Sequence, residues 1–223
     1  ARGYDVEETL RLVLLPSVYV LVTMSMLAVP IMSLLNPAYT SVYPLFIVAT
    51  IAFTFDTVST IMAVAAIGSE RIDVRSDVGL RELIGSRLFK APLARLLRGV
   101  LVLLMGGLYA YYVRHDPLLA ATGFPIARLT TAPLLLAYLW GLAREEIDFR
   151  VPRRELLAFT VAGVATATYY LASGASHIVV LRFTEAAPLL GVHVLVGGVI
   201  YLVVSYVLSP WLRDMLRVGL SYI

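Results

Sequence analysis

Six apolar runs, each close to the length a helix needs to cross hydrocarbon, constrain this chain more than any other feature. About 20 predominantly apolar residues at 1.5 Å rise span a bilayer core. The runs are Leu12–Leu35, Pro44–Gly68, Gly99–Val113, a fourth that starts between Pro125 and Thr130 and is taken as 128–143, then Leu156–Gly174 and Val192–Leu208. Only 15% of the 223 residues are charged and 60% are hydrophobic, against about 25% charge in a soluble domain. The expected fold is therefore all-α and polytopic: one transmembrane domain of six helices over residues 1–223, with a polar loop at 69–98.

Orientation follows from the basic residues. The segments holding Arg2, Arg11, the 69–98 loop, Arg144 to Arg154 and the tail carry 15 Lys and Arg, while the opposite side carries Arg114, Arg128 and Arg182. Positive charge marks the cytoplasmic face, so both termini and the 69–98 loop are expected there, in a multi-pass protein of the cell membrane. Arg128 is placed just inside the outer end of the fourth span, snorkelling to the headgroups. The opening residues, with Asp5, Glu7 and Glu8, do not read as a signal peptide. The segment Ala175–Leu190 is apolar but short and carries Arg182 and Glu185; it is expected to be an ordered amphipathic loop, or else to lie on or dip into the outer leaflet.

Several chemistries are set aside by composition. Cysteine is absent, which removes disulfides, thiolate metal sites and cysteine nucleophiles. The single lysine, Lys90, follows Phe89 rather than a glycine-rich turn, so no phosphate-binding loop exists. His115, His177 and His193 show no metal-ligand spacing. No cofactor is expected, no nucleic-acid motif is present, and no enzyme class is indicated.

Two constellations remain. Asp56 is the one acid deep within an apolar run, near the middle of the second span, with Thr54, Thr57, Ser59 and Thr60 around it. An ionised carboxylate at that depth is costly, so it must stay protonated, meet a cation or face a wet cavity. Either a translocation path or a structural hydrogen bond between helices accounts for it. In the loop, Leu80, Leu83, Ile84 and Leu88 recur at helical spacing opposite Arg81, Glu82 and Arg87, which predicts a short amphipathic helix that docks a cytoplasmic partner. Glu70 and Arg71 precede it, and Glu145 to Arg150 repeat part of the acidic–basic pattern. Gly99, Gly106, Gly107 and Ala110 make one side of the third span thin, suited to close helix packing.

The Glu70-Arg71 pair after two spans, the Leu80-Arg81-Glu82-Leu83 stretch and Ala91-Pro92-Leu93-Ala94-Arg95 leading into the third span resemble the permease subunits of type-2 ABC exporters. The resemblance implies a homo- or hetero-oligomeric permease in the lipid bilayer, driven by a separate cytoplasmic ATPase and docked through residues near Glu70, Arg71, Arg81, Glu82 and Arg87. The Gly-Thr usual after the Glu-Arg pair is replaced here by Ile72-Asp73-Val74-Arg75. Two other readings stay open: a non-transporting subunit anchoring a respiratory, secretion or DNA-uptake complex, and a self-contained channel or proton-coupled carrier built on Asp56.

Overall fold

The structure, a computed structural model, describes residues 2–68, 79–145, 147–179 and 183–220. Its helices are α1 (Arg2–Met26), α2 (Ala28–Leu35), α3 (Tyr43–Gly68), α4 (Leu80–Gly85), α5 (Arg87–Tyr112), α6 (Pro117–Arg144), α7 (Arg153–Ala172), α8 (Phe183–Leu208) and α9 (Pro210–Leu220). No strand occurs among the described residues. Six helical stretches are long and apolar enough to cross a membrane: Asp5–Met26, Pro37–Gly68, Arg87–Tyr112, Leu119–Arg144, Arg153–Ala172 and Ala187–Leu208.

The helix boundaries have local causes. The first apolar run is broken at Leu27 because Pro30 has no N–H to give Met26, so α2 starts afresh. Asn36 ends α2 in the extended backbone that a following proline favours. Its Oδ1 then accepts from Ala38 N at 2.9 Å, starting a 3-10 turn over Pro37–Val42. Asp116 does similar work ahead of α6, accepting from Leu119 N at 3.1 Å with Pro117 in the first helical position. Ser209 does so ahead of α9, accepting from Leu212 N at 3.2 Å.

Three sequence expectations are corrected. The amphipathic helix expected over Leu80–Leu88 stops at Gly85, because Ser86 turns extended and caps α5, its Oγ accepting from Phe89 N at 3.3 Å. Arg87 and Leu88 therefore belong to α5. The third helix able to cross is not Gly99–Val113 but α5, long and apolar enough within Arg87–Tyr112, so Arg95 and Arg98 lie on that helix instead of in a 69–98 loop. The fourth begins well before residue 128, since three turns of α6 precede Arg128. Of the segment Ala175–Leu190, the described parts are a 3-10 turn at Ala175–His177, extended backbone at 178–179 and the opening turns of α8. Glu70 and Arg71 lie outside the described residues.

The chain divides into two compact units. One comprises Ala1–Leu10 with Ile51–Arg150, the other Arg11–Thr50 with Val151–Ile223. In the first unit, Leu10, Met62, Ala66, Leu139 and Phe149 form the buried core. Trp140 stacks on Phe149 at 4.9 Å between centroids, under the Arg144 guanidinium. In the second unit, buried tyrosines tie helices together through main-chain oxygens. Tyr19 donates to Val194 O at 2.6 Å and Tyr201 to Leu15 O at 2.7 Å. The amphipathic α9 sets Trp211 edge-on to Phe159 and buries Leu212.

Within the first unit, α5 and α6 form a hairpin whose closest approach is at Gly106 and Gly123. A Cβ on Gly123 would stand 2.9 Å from the Gly106 carbonyl oxygen, and one on Gly106 would stand 2.6 Å from the Phe124 ring. Gly99 and Gly107, also expected in this contact, face open space. The Tyr109 ring, 2.8 Å from a Cβ on Gly123, is able to rotate, but the Gly106 carbonyl is backbone and is not. Gly123→Ala is therefore expected to lower stability by about 1–3 kcal/mol as an overpacking change, read as a lower unfolding midpoint in detergent. Gly107→Ala is the control expected to melt with the parent.

Candidate functional site

Asp56, Arg98 and Arg128 come from three different helices and stand at similar depths. At 1.5 Å per residue, Asp56 lies about 20 Å along α3 from Tyr43, while Arg98 and Arg128 each lie about 17 Å into α5 and α6. A lone charged side chain at the centre of a spanning helix costs about 3 kcal/mol even on the mild insertion scales. Pairing is what makes three of them tolerable.

The carboxylate is shared between the two guanidinium groups. Arg98 Nη1 donates to Asp56 Oδ1, the shortest polar contact of the cluster. Arg128 Nε donates to Oδ2 at 2.8 Å, and its Nη2 stands in ion-pair contact with the same oxygen at 2.7 Å. Arg98 is held on each of its nitrogens: its Nε donates to Thr131 Oγ1 at 3.1 Å and its Nη2 to the Arg128 carbonyl at 3.0 Å. The Thr131 hydroxyl in turn donates to Ala127 O at 2.9 Å. Arg98 thus ties α3 to both arms of the α5–α6 hairpin, with its side chain 13% exposed, whereas the Arg128 side chain is 48% exposed.

This cluster forms one wall of a cavity of about 500 Å³. Ser59, Thr60, Arg95, Gly99 and Leu103 complete much of its lining. Three guanidinium groups face one carboxylate there, an excess of two positive charges. Arg95 has no polar partner among the described residues. Ser59 is buried, and its Oγ makes no hydrogen bond. A second cavity of about 360 Å³ adjoins on the hairpin, sharing Arg98 and Leu135. It is walled mainly by Leu93, Leu97, Leu101, Leu134 and Tyr138, with Lys90 at its edge.

Of the residues singled out in the second span, Asp56, Ser59 and Thr60 line the larger cavity, and Thr54 and Thr57 do not. The Thr60 hydroxyl is turned onto the Asp56 main-chain oxygen at 2.9 Å and the Thr57 hydroxyl onto Phe53 O at 3.0 Å, so both serve their own helix. In the loop, Arg81 and Glu82 are exposed on α4. Arg87 pairs with Glu145 at 3.2 Å and is turned toward the protein rather than outward.

Sequence reasoning missed Arg95 and Arg98, counted as loop residues, and set Arg128 against the outer headgroups. Arg98 and Arg128, expected on opposite faces of a membrane, grip the same carboxylate. The available signal was length: a third span of only 15 residues from Gly99 to Val113 is short of the roughly 20 required. The missing turns had to come from the arginine side. Among the described residues no group of three His, Asp or Glu stands close enough to hold a metal ion; His193 Nδ1 instead meets the Tyr169 hydroxyl at 2.9 Å.

No protein-family model matches this chain, and no curated protein or solved structure matches it either. The site is read from its own geometry.

Proposed function

We propose that the chain is a multi-pass transport permease of a cell membrane, with both termini cytoplasmic, whose translocation site is the cavity around Asp56. The observation that carries this reading is a charged cluster at mid-helix depth that opens on a cavity also bordered by Arg95, Ser59 and Thr60. An acid serving only as glue between helices is satisfied by one partner in a closed contact. Here a half-exposed arginine, an unpartnered arginine and an unbonded serine hydroxyl all border the same space. Setting Arg98 and Arg128 aside as embedded leaves 14 basic residues on the proposed cytoplasmic side and 2 on the other, which supports the same orientation.

With no phosphate-binding loop in the chain, the driving energy comes from a separate cytoplasmic ATPase in an oligomeric exporter. Its docking surface is α4, where Arg81 and Glu82 are exposed. This part of the reading rests on the resemblance to type-2 ABC permeases.

Transport requires that the cavity open in turn to each side, and a chain without cysteine allows a direct measurement. Val102→Cys, on the cavity wall, is expected to react with a membrane-impermeant thiol reagent from either side of oriented vesicles, each side favoured under different energisation. Lys90→Cys is expected to react from the cytoplasmic side alone. Labelling of position 102 from only one side under every condition would count against transport.

A further inference from the structure

We infer that the cavity between α3, α5 and α6 is a binding site for a phosphate group, held by Arg95 and Arg128 with the Ser59 hydroxyl. The excess of two positive charges matches the −1.5 to −2 carried by a phosphate monoester near neutrality. Guanidinium groups bind phosphate oxygens in pairs through a fixed fork of donors. The three arginines differ in what they can offer. Arg98 spends one donor from each of its nitrogens on Asp56, Thr131 and the Arg128 carbonyl, so its orientation is fixed and it chiefly positions the site. Arg128 gives Nε to Asp56, holds Nη2 against the same carboxylate oxygen as an ion pair, and keeps Nη1 for a ligand. Arg95 has its whole fork free among the described residues and lies one turn before Arg98 on α5.

Ser59 is the second line of evidence. A serine inside a helix ordinarily turns its hydroxyl onto the preceding turn, as Thr57 and Thr60 do beside it. The Ser59 hydroxyl does not, although the residue is buried and borders the cavity. A buried hydroxyl left without a partner is disfavoured, and a bound oxyanion supplies the acceptor.

The cavity of about 500 Å³ holds more than a phosphate group alone. The adjoining apolar groove shares Arg98 and Leu135 with it, giving room for a chain attached to that phosphate. Free phosphate and the headgroup of an anionic lipid present the same chemistry to these residues. The biological meaning of the inference rests on the transport reading, although binding is measured apart from it.

Protein in phosphatidylcholine nanodiscs is titrated with inorganic phosphate, in chloride buffer, by calorimetry and by thermal unfolding. In parallel, nanodiscs containing phosphatidylglycerol are assayed for lipid retained after extraction into detergent. Saturable binding in one arm or both is expected; the first arm alone identifies a free phosphate ligand and the second a lipid headgroup. Arg95→Gln is expected to weaken binding at least tenfold, and Ser59→Ala about threefold. Both should leave the unfolding midpoint without ligand unchanged, because neither side chain makes a polar contact that is lost. Should a midpoint fall, Arg95→Lys, which keeps the charge and loses the fork, is expected to bind with intermediate affinity. No binding in either arm, or undiminished binding in both variants, overturns the inference. Binding without two-sided access at position 102 would leave the phosphate site standing and sink the transport reading. Two-sided access without binding would do the reverse.

Discussion

Replacing Arg98 by alanine is expected to cost about 1.5–3 kcal/mol, the worth of a hydrogen bond to a charged group, because Asp56 keeps Arg128 as its partner. Three hydrogen bonds disappear together, to Asp56, Thr131 and the Arg128 carbonyl, and α3 keeps only the Arg128 contact with the hairpin. The measurement is an unfolding midpoint in mild detergent. The sharper version is a double-mutant cycle with Asp56→Asn, in which a coupling of about 0.5–3 kcal/mol is expected between contacting residues. An Arg98→Ala protein that melts with the parent, or a cycle with zero coupling, would show that the cluster does not bind the first unit together.

Asp56→Asn separates function from folding. Asparagine keeps one acceptor oxygen and replaces the other with a donor, so one of the two arginines loses its acceptor. A hydrogen bond to a charged group is worth about 1.5–3 kcal/mol, which is roughly ten- to a hundredfold in an equilibrium. The balance between inward- and outward-facing labelling at position 102 is expected to shift by that factor while the protein stays monodisperse. Asp56→Leu, which offers no acceptor at all, is expected to fail in folding. If Asp56→Asn leaves the labelling pattern unmoved, Asp56 acts in packing alone.

The contrast between these residues shows what a sequence of this kind discloses. The existence of six apolar runs was legible because it is a local property: a window of about 20 residues suffices to see it. The need of Asp56 for a polar neighbour was legible for the same reason, since its burial cost arises from its own helix. Which neighbour it finds is not local. Arg98 is 42 positions away and Arg128 is 72, and to a local reading an arginine at the edge of an apolar run ends the run. Arg98 sits inside α5 because Asp56 and Thr131 satisfy it. The split of the loop helix at Ser86 was also hidden, since an N-cap serine and a helical serine look alike until the backbone turns.

The order in which these charges occur along the chain bears on how it is inserted during synthesis. α3 emerges before α5 and α6, carrying one acid among a few hydroxyl residues in an otherwise apolar helix, so it partitions into lipid more readily than they do. α5 follows with Arg87, Lys90, Arg95 and Arg98 in its first half, and a central arginine weighs heavily against insertion of an isolated segment. Asp56 is already in place when α5 arrives, and Arg128 comes last on α6. α3 must therefore linger beside the insertion machinery until the hairpin reaches it, and the ion pair that fastens the finished protein also serves as the admission condition for its third span.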